Sequence, residues 1–231
     1  MTVSLSSERD GPKRAAEARA VEEVDDGMVV GLGSGSTAAF VVEALAARIT
    51  QGLRVVGIPT SKATAGLALR LGVPLTSLAE YGRIDVAIDA ADQVERGTLN
   101  LVKGLGGALL REKMVANAND RMIVVGDETK LIDRLGGSAP LPVEIVSFGW
   151  QTVLDRLAAI GCPPRLRLAG NTPFTTDGGN YIADCAIAEM PDAAALEARP
   201  PSIIGVVESG LFIGLASKIA VARPTDVEMI E

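Results

Sequence analysis

Residues 27–49 read GMVVGLGSGSTAAFVVEALAARI: a short apolar run, a loop of glycines and hydroxyls, and then apolar residues at helical spacing. A buried strand entering a tight turn and leaving as a helix has this pattern. The order recurs along the chain, as LRVVGIP (53–59) before ATAGLALRLG (63–72), IDVAIDA (84–90) before GALLREKMVANA (107–118), and RMIVVGD (121–127) before ETKLIDRLG (128–136). Strands alternating with helical segments predict a parallel sheet with helices on both faces, and near-continuous apolar strands predict burial on both sides. Beyond about Leu141 the order changes to strand LPVEIVSF, helix WQTVLDRLAAI, strand RLRLA, strand YIADCAI and helix DAAALEA, the pattern of a small α+β unit. The closing stretches IIGVVESGLFIG and SKIAVAR read as strands returning to the first sheet.

Composition narrows the chemistry. With 231 residues, 48% of them hydrophobic, the chain can bury one large core or a main domain with a companion. No apolar run approaches the roughly 20 residues that span a bilayer, and MTVSLSSERDGPKR carries polar residues where a secretion signal needs apolar ones. A cytoplasmic protein with no membrane partner is expected. A net charge of −7 argues against nucleic acid, which needs a basic face. The two cysteines, Cys162 and Cys185, form no CxxC pair, and there is no histidine. The usual general base and the commonest metal ligand are therefore absent, which leaves carboxylates and lysines to do the chemistry and predicts no metal.

Three motifs carry that chemistry. In the first, Gly31 to Thr37, glycines let backbone approach a ligand, and the helix start offers N–H groups and a positive dipole end to a phosphate. Its Gly33-x-Gly35-x-x-Ala38 spacing raises a dinucleotide site, but the second strand ends in Ile58-Pro59-Thr60, without the acidic residue that a ribose diol requires. A tight turn with a capping hydroxyl is the structural alternative. The second motif, 84–92, ends a strand in Asp89 and Asp92, where ligands of open parallel sheets bind, although an aspartate after a strand also caps turns. In the third, Lys103 precedes a glycine-rich turn and Glu112 sits early in the following helix, so an ammonium and a base can surround one small ligand; alternatively, Glu112 is a solvated carboxylate paired with Arg111 or Lys113. Lys130 follows a strand at the same sheet edge, and Lys13 lies in the first helical segment.

Taken together, GLGSGSTA, PTSKAT, DVAIDAADQVE, LVKGLGGALLREKMVA, VVGDETKL, PLPVEI, TTDGGNYIADC and ESGLFIG resemble, in order and spacing, the A-type ribose-5-phosphate isomerases. The resemblance implies a Rossmann-like doubly wound domain of residues 1–133 and 205–231, a smaller ferredoxin-like α+β domain of residues 134–204, and a homodimer or homotetramer. It implies an aldose–ketose isomerase of the non-oxidative pentose phosphate pathway, interconverting D-ribose 5-phosphate and D-ribulose 5-phosphate through an enediolate with no cofactor. Carried over by motif, the general base falls on Glu112, the ring-opening carboxylate on Asp89 with Asp92 beside it, and the active-site lysine on Lys103. Substrate and phosphate contacts fall on Lys13, Ser34, Gly35, Ser36, Thr37, Ala90, Ala91, Gly104, Leu105, Gly106 and Lys130. The chain departs from the family pattern at Ala90, Gln93, Leu105 and Ser209. Those departures keep two alternatives open: a related sugar-phosphate isomerase, or a sugar-phosphate-binding regulator without turnover.

Overall fold

In the computed structural model, which describes residues 6–190, 192–198 and 200–231 and leaves the side chains of 6–13, 37 and 201 undescribed, the opening pattern folds as read. In chain order, α1 (Ser6–Val21) is followed by β1 (Val29–Leu32), α2 (Gly35–Thr50), β2 (Val56–Pro59), α3 (Lys62–Arg70) and β3 (Val86–Ala90). Then come β4 (Gln93–Glu95), β5 (Leu101–Val102), α4 (Leu109–Asn117), β6 (Met122–Asp127), β7 (Leu131–Ile132) and β8 (Leu141–Ile145). The chain ends with α5 (Trp150–Ala159), β9 (Pro164–Leu166), β10 (Leu168–Ala169), β11 (Thr172–Pro173), β12 (Tyr181–Cys185), α6 (Ala193–Glu197), β13 (Val206–Ser209), β14 (Leu211–Phe212), β15 (Ala216–Ala222) and β16 (Val227–Ile230). None of the described helices is long and apolar enough to cross a membrane.

Two compact units result: Met1–Ala91 with Met114–Lys130 and Leu215–Glu231, and Asp92–Lys113 with Leu131–Gly214. The first holds a six-stranded sheet in the order β16-β15-β6-β3-β1-β2, parallel except for the antiparallel edge strand β16. Period-two alternation sends its side chains to opposite faces. Val30, Leu32, Val86, Ile88, Ile123 and Val125 pack with Ala16, Ala20, Val41, Val42 and Leu45 of α1 and α2. Val29, Ile58, Ile84 and Ala87 form a separate cluster with Val115, from the part of α4 that belongs to this unit. Helices thus cover both faces. The chain runs from β1 to β2 on one side and resumes at β3 on the other, so β1 and β3 flank the topological switch point where open α/β sheets bind ligands.

The second unit contains the run β8-α5-β9-β12-α6-β13, with its strands in the spatial order β13-β8-β12-β9 and every pairing antiparallel. This is the ferredoxin-like arrangement of two interleaved βαβ halves. Its core joins Leu141, Val143 and Ile145 to Val153 and Leu157 of α5, with Cys162 and Cys185 buried among them. A second small sheet, β14-β5-β4-β7, belongs to the same unit.

Two sequence expectations need correction. ETKLIDRLG is not a helix: Glu128–Lys130 makes one 3₁₀ turn, and Leu131–Ile132 then pairs in parallel with Val94 and Glu95. Gly136 and Gly137 at positive φ end the segment before an α-helix can accumulate turns. Of the two closing stretches, only SKIAVAR joins the parallel sheet. Val206–Ser209 pairs with β8, and Leu211–Phe212 pairs with β5. Gly210 separates these two strands, since a Cβ there would lie 2.2 Å from the Lys103 carbonyl oxygen.

Candidate active site

In the first unit, the loop after β1 is tied to the end of β3. Gly33 N–H donates to the Ile88 carbonyl at 3.0 Å, and Asp89 Oδ1 accepts from the backbone N–H groups of Ser34 (3.2 Å) and Ala90 (2.8 Å). Asp89 is 4% exposed, and a Cβ on Gly33 would fall 2.1 Å from its Oδ1. The glycine is therefore what lets a buried carboxylate enter the loop. Gly35, at φ +85°, opens α2 beside exposed Ser36, so the start of the helix faces solvent. The sequence reading missed two supports of this loop. Thr60 Oγ1 lies 2.7 Å from Ser34 Oγ and donates to the Leu32 carbonyl, while Thr64 Oγ1 donates to the Gly33 carbonyl at 2.8 Å. Their signal was the hydroxyl-rich PTSKAT, quoted for the resemblance but given no role.

Also in this unit, a cavity of about 30 Å³, enough for one water, is lined by Ala90, Ala91, Gly126, Asp127 and Lys130 together with Glu17. Glu17 is buried on α1 and was not singled out from the sequence, where it reads as one more helix carboxylate. The side chains of Lys13 and Thr37 lie outside the described residues.

In the second unit, β5 delivers Lys103, whose N–H donates to the Gly210 carbonyl at 2.8 Å. The chain then turns through Gly104 and Gly107, at φ +104° and +84°, with Gly107 N–H donating to the Gly104 carbonyl. A Cβ on Gly104 would meet Leu109 Cβ at 2.7 Å. Leu105, between them, is not at positive φ, so its side chain brings no backbone strain, and Gly106 has open space around it. Helix α4 starts two residues after this turn and carries Glu112 in its first turn. Lys103 Nζ stands 3.5 Å from Glu112 Oε2, with the two side chains only 3% and 5% exposed. The Lys103 ammonium is also 5.6 Å from the centroid of the buried Phe212 ring. Asp92 Oδ2 accepts from Leu105 N–H at 2.9 Å. The alternative of a solvated Glu112 paired with a surface neighbour does not hold, because Arg111 pairs with Asp177, and Lys113 with Glu197 and Glu208.

The second unit therefore brings together Asp92, Lys103, the Gly104–Gly106 turn and Glu112. The first brings together Ser34, Asp89, Ala90, Ala91 and the strand end before Lys130. Chemically, the second set is a carboxylate beside an ammonium in a dry setting, able to exchange a proton while a cation faces developing negative charge. The first set is a carboxylate joined to a loop and helix start of the kind that receives phosphate. Among the described residues, no cluster of three or more aspartates, glutamates and cysteines is arranged to hold a metal ion.

Residues 56–226 match the family model described as ribose 5-phosphate isomerase A (phosphoriboisomerase A). The chain is 53% identical over 218 residues to the ribose-5-phosphate isomerase A of Gloeobacter violaceus, a match covering 94% of this chain and 95% of that one. It is 50% identical over 219 residues to the protein of the same name from Gluconobacter oxydans, with 94% of each covered. Among solved structures, ribose 5-phosphate isomerase A from Methanocaldococcus jannaschii superposes with a TM-score of 0.92 at 38% identity, over 96% of this chain and 99% of that chain.

Proposed function

Since the chain belongs to the ribose 5-phosphate isomerase A family, we propose that it interconverts D-ribose 5-phosphate and D-ribulose 5-phosphate through an enediolate, with no metal or cofactor. One observation carries the mechanism: the Lys103–Glu112 pair, 3.5 Å apart and almost wholly shielded from water. Moving a proton between C1 and C2 needs one carboxylate that visits both carbons, and the enediolate needs a cation near its oxygens. Glu112 takes the first role and Lys103 the second.

The substrate rests mainly as a furanose, so a further group must assist ring opening. We assign this to Asp89, by proton transfer with the ring oxygen or the anomeric hydroxyl, with Asp92 beside it in sequence. The loop of Ser34, Gly35, Ser36 and Thr37, with Lys13 and Lys130, is assigned to the phosphate, whose binding energy holds the reacting carbons in register. Ala90, Ala91, Gly104, Leu105 and Gly106 are assigned to substrate binding. A cytoplasmic homodimer or homotetramer is the working form we propose, on the strength of the family resemblance.

The reading is tested by incubating the purified chain with ribose 5-phosphate and following ketose formation. Steady conversion to ribulose 5-phosphate is expected. A folded chain that binds the sugar phosphate without converting it would reduce the protein to a binding regulator.

A further inference from the structure

Arg167, between β9 and β10, is held as a fork on both sides. Its Nε donates to Asp184 Oδ2 at 2.9 Å and its Nη2 to Asp184 Oδ1, while its Nη1 donates to two successive carbonyls, those of Gly104 (3.0 Å) and Leu105 (2.9 Å). These are the first two carbonyls after Lys103. The peptide between Gly104 and Leu105 is thereby engaged at both ends: its oxygen by Arg167, and its N–H by Asp92 Oδ2 at 2.9 Å. A guanidinium on the oxygen polarises the peptide and strengthens the bond made by its N–H, since linked hydrogen bonds reinforce one another. Phe174 grips the other end of the turn. Its N–H donates to the Arg167 carbonyl at 2.9 Å, and its ring fills the space where a Cβ on Gly107 would lie 2.4 Å away.

We propose that Arg167 is a positioning residue for the isomerisation, orienting the Asp92 carboxylate and the turn after Lys103 through the Gly104–Leu105 peptide. The inference rests on the roles proposed above for Asp92 and Lys103. Arg167 itself touches no reacting atom in this scheme. It acts through one peptide, and a planar guanidinium suits that task because it offers paired donors to a carboxylate and further donors to two carbonyls in a fixed geometry. A lysine in its place would supply the charge without the fork.

Three variants decide the matter: Arg167→Lys, the joint replacement Arg167→Met with Asp184→Leu, and Asp92→Asn. The joint replacement removes both partners of the ion pair, so that no charge is left stranded and the fold is retained. Two readouts are taken. The first is the ¹⁵N–¹H resonance of the Leu105 amide, which needs no turnover, and the second is steady-state kinetics with ribose 5-phosphate. In the joint variant the Leu105 amide proton should move upfield toward its position in Asp92→Asn, and adding Asp92→Asn should move it little further. With melting temperature near that of the parent, kcat should fall roughly ten- to a hundredfold while KM moves less than about threefold, in Arg167→Lys as well as in the joint variant. An unmoved Leu105 amide, or a parental kcat in the joint variant, overturns the proposal. A parent chain that fails to convert ribose 5-phosphate instead counts against the proposed function, and the amide shift still decides whether Arg167 positions Asp92.

Discussion

Lys103 Nζ, just before a glycine turn, and Glu112 Oε2, in the first turn of the helix that follows it, stand 3.5 Å apart with neither side chain more than 5% exposed. Ions so far removed from water are costly to hold alone, so each supports the other's charged form. Glu112→Gln keeps the shape of the side chain and removes the base. Turnover should fall roughly 10²- to 10⁴-fold, the range expected for a lost general base, with KM little changed. Initial-rate kinetics on the folded variant checks this, and near-parental activity would take the role away from Glu112.

Gly33 and Gly35 sit two residues apart in one loop for different reasons. A Cβ on Gly33 would lie 2.1 Å from Asp89 Oδ1, whereas Gly35 has open space around it but a φ of +85°. Gly33→Ala should therefore displace Asp89, costing about 1–3 kcal/mol of stability through overpacking together with most of the activity. Gly35→Ala should cost about 1–2 kcal/mol through backbone strain alone and leave Asp89 in place. Thermal melts paired with kinetics separate the two. Parental activity in Gly33→Ala would show that the approach of Gly33 to Asp89 does not matter to the reaction.

How far the sequence could be read varies by element. The strand-loop-helix at 27–49 and the glycine-flanked Lys103 were legible because their signals are local: apolar period, glycine and hydroxyl. What escaped depended on partners distant in sequence. The run 203–214 looks like any buried strand, and an apolar run does not say which sheet it joins. Nothing around Thr60 or Thr64 announces that their hydroxyls secure the loop after β1, because the acceptors, Leu32 and Gly33, lie 28 and 31 residues earlier. Leu105 looked like a disruption of a glycine run, yet only Gly104 and Gly107, of the residues in that turn, have the positive φ that glycine serves.

Gln93 is one of the departures from the family pattern, and its surroundings explain the amide. Nε2 donates to the Gly136 carbonyl at 2.8 Å and to Ser138 Oγ at 2.7 Å, while Oε1 accepts from Gly136 N–H at 2.9 Å. Gln93→Glu would set a carboxylate against the Gly136 carbonyl and should cost about 1–3 kcal/mol at neutral pH. The new carboxyl is favoured in its protonated form, which can donate to that carbonyl, so its folded-state pKa lies above the unfolded value of about 4.3. The stabilising protonated state is fully present below that value and is lost as pH rises through the folded pKa. The deficit against the parent should therefore be small near pH 4 and largest at neutral pH. Urea unfolding at several pH values measures it, and a deficit independent of pH would contradict this account of Gln93.

Isotope exchange tests the path of the proton. If Glu112 removes the C2 proton of the open-chain aldose and returns one to C1, that proton resides for a time on a carboxylate able to exchange with water. Turnover in deuterium oxide should then place deuterium at C1 of ribulose 5-phosphate, in part only if transfer outruns exchange. A direct hydride shift would carry the substrate's own hydrogen between the carbons and needs both oxygens polarised, a task for which metal ions serve in other isomerisations. Here Lys103, held 3.5 Å from Glu112, is placed to stabilise an enediolate instead. An NMR time course of the parent chain, with Glu112→Gln as control, follows both the product and the recovered substrate. The parent should incorporate deuterium at a rate that tracks turnover, and the control should show neither. Conversion by the parent with no deuterium in either sugar would remove the support for the enediolate route, and with it the role proposed for the buried pair.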